Sequence, residues 1–246
     1  MKYILIRIDN WKKNCIHIIP CRVGIMVKRV VIFGGTGRTG KEIAKIAIEK
    51  GYDTVCFGRS ADLESVPNGA IPFRGDMTDE GSVRSAIKDC DIVILALSIS
   101  RASSSPFARI TGDYNLHSRS MKILTRVMNN SNSKRIVKIS AQGVGESKSR
   151  TGLLFRILIR ISNLKIAFDD HAKADQILEK TNHNWTIIRP PRLNNKEDKV
   201  ALVAGESLVT NTRSNVSRTS IALWIIESLE NTDWKQRCVT ILPRKT

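Results

Sequence analysis

Between a β-branched apolar run and an amphipathic helical segment stand seven residues, Gly34-Gly35-Thr36-Gly37-Arg38-Thr39-Gly40. The run before them, Val27–Phe33, is apolar at most positions, as a strand buried on both faces requires. After them, Lys41–Lys50 sets Ile43, Ala44, Ala47 and Ile48 on one helical face, and Gly51 stops the helix. Gly35, Gly37 and Gly40 supply the spacing G-x-G-x-x-G. Alone that spacing is weak evidence. Between a strand and a helix it predicts a tight turn whose backbone N–H groups approach a pyrophosphate, with the helix N-terminus adding favourable partial charge. A glycine turn without a ligand is the competing reading.

The pattern repeats along the chain. Strands are expected at Thr54–Phe57, Ile71–Arg74, Asp91–Leu97, Arg135–Ser140, Trp185–Arg189, near 200–210 and at Val239–Leu242. Helices are expected after Asp79 through Ile87, and at Asp113–Asn130, Gly152–Asn163, Phe168–Lys180 and Arg218–Leu229. Such alternation implies βαβ units and a parallel sheet. The expected fold class is α/β, a Rossmann-type doubly wound parallel sheet flanked by helices. A chain of 246 residues, 41% hydrophobic, suits one such domain with a small C-terminal substrate region. The domain is placed at residues 26–246, with substrate-facing loops at 98–112 and 141–167. Residues 1–25 read as an N-terminal extension or a misplaced start. Asp9, Lys12 and Lys13 interrupt them before a signal-peptide core can form.

Composition narrows the function classes. The five cysteines, Cys15, Cys21, Cys56, Cys90 and Cys238, form no C-x-x-C pair, so neither a metal site nor a disulfide framework is expected. Reduced thiols fit a cytoplasmic location. No apolar run is long enough to span a membrane, so no stable insertion is expected. The net charge is +17, spread without a long basic block. It reads either as a diffuse bias towards anionic ligands or as a surface for nucleic acid, the second being the less favoured. Aromatic residues make up only 5%, which gives base stacking little to work with.

The end of the second strand bears on cofactor choice. A nicotinamide enzyme that takes the unphosphorylated ribose usually carries Asp or Glu there. This chain has Phe57-Gly58-Arg59-Ser60, and Arg59 attracts a 2′-phosphate. Arg38 is placed to clamp the same phosphate or to stack on adenine. NADP(H) is therefore the expected cofactor, unless both arginines are merely solvated. Further cofactor candidates follow the third and fourth strands: Asp76 and Met77, then Leu95, Ala96 and Leu97. For Asp76, a turn or capping role shared with Thr78 and Asp79 is the alternative.

The stretch Val30–Gly40 resembles the atypical short-chain dehydrogenase/reductase family, NAD(P)H-binding and NmrA-like, within the group that includes biliverdin reductase B (flavin reductase). Arg74-Gly75-Asp76, Ile139–Gly145, Asp169-Asp170-His171 and Trp185–Leu193 agree in order and spacing over roughly residues 27–246. By position along the late helix, His171 and Ala167 stand where the family's usual lysine and tyrosine would be. Ordinary alcohol chemistry is thereby put in doubt. The resemblance implies a monomer that passes hydride from NADPH to a flavin or a linear tetrapyrrole (bilin). It points to Ser140 and His171 as catalytic candidates, Pro190 at the nicotinamide end, and Arg192 against a substrate carboxylate or phosphate. His171 is expected to orient substrate or relay a proton, with its ordinary pKa near neutrality. Its structural alternative is a hydrogen bond to Asp169 or Asp170. Ser140 has the alternative of a strand-end hydroxyl.

Two questions stay open at this level. Leu153–Ile161 places Arg156 and Arg160 one turn apart, and reads as a packed helix, a lid or a membrane-surface contact. The rival to a reductase is a non-catalytic NADP(H)-binding regulator of the NmrA-like type that contacts nucleic acid.

Overall fold

The computed structural model describes residues 27–128 and 135–244. The extension 1–25, with Cys15 and Cys21, lies outside the described residues, as do Asn129 and Asn130 at the end of the expected third helix.

Strand β1 (Arg29–Phe33) pairs in parallel with β2 (Asp53–Gly58) on one side and β4 (Ile92–Leu95) on the other. Outward from β2 lies β3 (Ile71–Arg74). Outward from β4 lie β5 (Arg135–Ile139), β6 (Asn184–Arg189) and β10 (Arg237–Pro243), all parallel. The order β3-β2-β1-β4-β5-β6-β10-β8 is that of a doubly wound sheet, with its reversal between β1 and β4. One strand departs from the expected parallel sheet. At the edge, β8 (Leu202–Gly205) runs antiparallel to β10. A side-chain period of two fixes which face a residue occupies but carries no strand direction.

Alternation along each central strand builds two cores. Val30 and Ile32 of β1 face α1 (Arg38–Glu49) and α6 (Arg218–Glu227), meeting Ile43, Ala47, Ile221 and Ile225. Val31 and Phe33 face the other layer, formed by α2 (Glu80–Ala86), α3 (Leu116–Met128) and α5 (Leu164–Glu179). There they meet Val83, Met121, Leu124 and Leu178. Each such side chain, taken from water, contributes about 1.5–3 kcal/mol. Asp79 caps α2 as its sequence position predicts, accepting the Ser82 amide at 2.9 Å.

Between β5 and α5 the chain is more ordered than a polar loop. Gly145–Arg150 forms a 3-10 turn, and α4 (Leu153–Ile161) follows and packs on α5. The backbone of Thr210 locks this segment, accepting from Gly152 N at 3.1 Å and donating to Arg150 O at 3.0 Å. A small second sheet pairs β7 (Arg192–Asn194) with β9 (Asn215–Ser217), which runs directly into α6.

Candidate functional site

The central strands end nearly level. Phe33 pairs with Phe57 and with Leu95, Leu95 with Lys138, and Ile139 with Ile188. The residues immediately beyond therefore share one edge of the sheet: Gly34, Gly58, Ala96, Ser140 and Pro190. This carboxyl edge, at the strand-order reversal, is where open α/β sheets bind ligands.

The glycine turn fits a dinucleotide. Gly34 adopts φ +81°, and a Cβ there would stand 2.6 Å from Ala96 O. Gly40 lies against the turn so closely that a Cβ would reach 2.1 Å from Gly34 O. The first turn of α1 is thus drawn tight onto β1. Gly37, the N-cap of α1, is exposed and supplies no side-chain cap, and the first helical turn holds no acidic residue. The intrahelical series opens with Lys41 N donating to Gly37 O at 2.9 Å. The amides of Arg38, Thr39 and Gly40 precede it and have no helical acceptor behind them. A mouth of three such donors with no competing carboxylate is suited to a pyrophosphate. Thr36 bridges the turn to β2, since a Cβ on Gly58 would meet its Oγ1 at 2.8 Å.

Arg38 and Arg59 are both exposed. Arg59 lies near Asp76, and Arg38 near Arg218; both neighbours register the charge. Asp76 Oδ1 accepts from the Thr78 amide and hydroxyl, each at 2.8 Å. The amide bond chiefly holds this carboxyl below the ordinary range, and the Thr78 hydroxyl and the charges of Arg59 and Arg119 add to it. Asp76 thus carries the turn role named above as its alternative. Met77 and Leu95 are buried in the core with Phe57, whereas Ala96 and Leu97 are half-buried at the edge. Pro190 is buried, and its carbonyl accepts from Gln142 N at 2.9 Å. Arg192 is exposed at the start of β7.

Beyond β5, charged groups are buried together. Lys138, inside the apolar strand, and Arg189, at the end of β6, share the face towards α5. Asp175 of α5 joins them, accepting from Lys138 Nζ at 2.6 Å and from Arg189 at 3.1 Å. All three side chains are no more than 3% exposed. Arg189 also donates to Glu146 of the 3-10 turn. Ser140 is buried, and its hydroxyl donates to Asp175 at 2.9 Å. Its oxygen is therefore engaged in this network.

His171 joins the same group. Lys138 Nζ lies 3.2 Å from His171 Nδ1, and the imidazole stacks on that of His117 with ring centroids 3.7 Å apart. An ammonium has only donors, so Nδ1 accepts and the ring proton sits on Nε2. Burial, and then the Lys138 charge, hold this histidine well below 6.5. Burial also depresses His117, helped by His171 and Lys138. The expectation that His171 titrates near neutrality is thereby corrected: the ring is neutral, and its Nδ1 lone pair is occupied. Neither acidic neighbour binds it. Asp169 pairs with Lys165 at 2.5 Å, and the buried Asp170 accepts the His117 amide at 2.7 Å and the Ser118 amide at 3.1 Å.

Lys138, Asp175, Glu146 and His117 were not singled out by the sequence reading. A signal for the first was present, because a lysine inside Arg135-Ile136-Val137-Lys138-Ile139 must be paired when the strand is buried. Burial pushes the Cys56 thiol up to about 11, which suits packing and not reactivity. Among the described residues, no cluster of metal-ligating side chains occurs and no helix is long and apolar enough to cross a membrane. A groove of about 450 Å³ between α3 and α5 is lined by Arg119, Lys122, Lys173 and Lys180 among others.

A family model described as NAD(P)H-binding matches residues 34–232. The chain belongs to this NAD(P)H-binding family. Its match begins at the first glycine of the turn and runs through α6, so it takes in Gly34, Gly58, Ala96, Ser140 and Pro190 at the carboxyl edge. Over 74 residues the chain is 35% identical to the probable pinoresinol-lariciresinol reductase 3 of Arabidopsis thaliana. That match covers 28% of this chain and spans about a quarter (24%) of the relative's length. Among solved structures, a short-chain dehydrogenase/reductase from Veillonella parvula in complex with NADP superposes with a TM-score of 0.72. It is 16% identical, with 90% of this chain and 97% of that one covered. ChuY, an anaerobillin reductase from Escherichia coli O157:H7, gives a TM-score of 0.69 at 14% identity, covering 89% of this chain and 98% of its own. At these identities the structural likeness establishes the fold, a Rossmann-type doubly wound sheet.

Proposed function

We propose that this chain is an NADPH-dependent reductase whose acceptor is an aromatic ring system of the flavin or linear-tetrapyrrole class. The observation that carries the reading is the contact of Lys138 Nζ with His171 Nδ1 at 3.2 Å, which leaves the imidazole to act as a hydrogen-bond donor rather than a base. The sequence offers no Tyr-x-x-x-Lys pair, since none of Tyr3, Tyr52 and Tyr114 has lysine four residues on. When bound, NADPH supplies a hydride. A ring acceptor that takes hydride becomes a delocalised anion and can draw its proton from water, so alignment matters more than a protein acid.

The residues divide the work accordingly. Gly34, Gly35, Thr36, Gly37, Arg38, Thr39 and Gly40 form the turn that holds the pyrophosphate, with the amides of Arg38, Thr39 and Gly40 as its donors while those of Gly34, Gly35 and Gly37 close the turn itself. Arg59, with Arg38, takes the ribose 2′-phosphate, and Ala96 and Leu97 give the nicotinamide half an apolar wall. His171 orients the acceptor through Nε2–H, and Arg192 meets an acidic group on it. Ser140 acts as a positioning residue through Asp175, which in turn fixes Lys138. Segments 98–112 and 141–167 wall the acceptor in.

The test is NADPH oxidation followed at 340 nm at low salt, with and without FMN or biliverdin, beside an NADH control. Stimulation by either acceptor with NADPH preferred is the expected result. Tight NADPH binding with no turnover on any ring acceptor would overturn the reductase reading. One observation favours a nucleotide-sensing regulator in that event: the basic groove of Arg119, Lys122, Lys173 and Lys180. Salt-sensitive binding of duplex DNA, lost on replacing those residues, would then identify its partner.

A further inference from the structure

Helix α4 presents its aliphatic residues to solvent. Leu153, Leu154, Ile157 and Ile161 are 66, 72, 47 and 65% exposed. The helix is anchored by its opposite side, where Ile159 is buried and Phe155 packs edge-on against Phe168 at 6.2 Å. At 3.6 residues per turn, the four exposed aliphatics fall in one stripe about 100° wide. Arg156 and Arg160, both exposed, border one side of it.

The stripe is extended by neighbours that hydrogen bonds hold in place. Val209 adjoins Thr210, whose backbone is locked to Arg150 and Gly152 at the start of the helix. Phe107 is tied to its far end through Asn163 Nδ2, which donates to Phe107 O at 3.0 Å. Ile166 follows on the first turn of α5. Seven of the twelve large exposed apolar side chains among the described residues thus lie on α4 or on segments joined to its two ends. Exposed aliphatics scattered singly need no explanation, but a contiguous patch of this kind marks an interaction surface.

Charge decides what covers it. Helix α4 contains no acidic residue. The acidic residues that flank it in sequence are engaged elsewhere, Glu146 with Arg150 and Arg189, and Asp169 with Lys165. A second copy docked on this face through the same helix would offer Arg156 and Arg160 no acidic partner, and an antiparallel pairing would set them beside their own equivalents. An anionic surface would instead pair with both arginines, and the wider +17 charge would draw the molecule to it. An apolar stripe edged by arginines on an acid-free helix is the pattern of interfacial helices. We propose that α4, with Val209 and Phe107 at its ends, is a docking face for bilayers rich in anionic lipid, binding reversibly in the plane of the headgroups.

This inference is independent of the reductase reading, and its test uses no turnover. The full chain is mixed with vesicles of phosphatidylcholine, with or without ~30% phosphatidylglycerol, and recovered by flotation. Wild type is expected to float with the anionic vesicles and to be released by salt. The pair Leu154→Glu and Ile157→Glu is expected to lose at least ~tenfold in binding, with the thermal midpoint unchanged. The pair Arg156→Gln and Arg160→Gln is expected to lose the preference for anionic lipid. Failure of wild type to float with either vesicle would overturn the proposal, as would equal binding by the Leu154/Ile157 variant. A wild-type dimer in sedimentation that the same variant dissociates would overturn it as well, and assign the face to a second copy.

Discussion

Lys138 Nζ stands 3.2 Å from Nδ1 of His171, and this contact determines which nitrogen of the imidazole carries a proton. With burial, it also keeps the ring neutral, and His117 stacked beside it is depressed in the same way. The consequence for stability has a definite sign. Both rings bind a proton less readily folded than unfolded, so the unfolded chain takes up more protons below the unfolded value of about 6.5. The thermal midpoint is expected to fall as pH drops below about 6.5, before carboxylates begin to titrate. The double change His117→Gln and His171→Gln should flatten that slope. A midpoint independent of pH between about 6.5 and 5 would refute the assignment.

Asp175 joins two buried cations, and its removal leaves Lys138 without its carboxylate and Arg189 with only the more exposed Glu146 and Glu179. Asp175→Ala is expected to destabilise the fold by about 3–5 kcal/mol in urea unfolding. Pairing it with Lys138→Met should recover part of the loss, read as coupling in a double-mutant cycle. Strict additivity of the two changes would mean that the ion pair seen at 2.6 Å contributes nothing to stability.

Arg59→Ala is expected to weaken NADPH binding by roughly ten- to a hundredfold, the worth of a charge-assisted hydrogen bond, with little effect on NADH. Fluorescence titration with both nucleotides measures this. Equal losses for the two would dismiss the 2′-phosphate assignment.

Gly40→Ala tests the turn itself. Its Cβ would fall 2.1 Å from a backbone oxygen that no rotamer change can move away. The expected cost is about 1–3 kcal/mol, a fall of several degrees in the thermal midpoint, together with loss of nucleotide binding. A variant that binds NADPH normally would show that the helix start can retreat from β1.

Much of the frame was legible in the sequence, because it rests on local rules. β-branched runs gave the central strands, Asp79 gave the cap of α2, and the glycine turn gave the helix after it. Arg38–Gly40 nevertheless form the first turn of α1, since the glycine spacing alone does not separate turn from helix. What stayed hidden depends on distance. Asp170 was read beside His171, yet its partners are amides more than fifty residues earlier. Ser140 was read as a site hydroxyl, and its partner Asp175 lies on another element. The antiparallel direction of β8 is set by how the chain returns after β7, which side-chain period does not encode. The outward face of α4 follows from which side packs on α5, and the pattern Leu153–Ile161 is compatible with either side.

The bond between Asp170 and the start of α3 also bears on the order of assembly. The amides of His117 and Ser118 receive their acceptor from residues 53 and 52 positions later. As the chain leaves the ribosome, the first turn of α3 therefore stays unfinished until β5, the 3-10 turn, α4 and half of α5 have been made. Two helices separated by a strand, a 3-10 turn and a further helix thus depend on one another, and their amides are expected to gain protection together in a pulse-labelled refolding experiment.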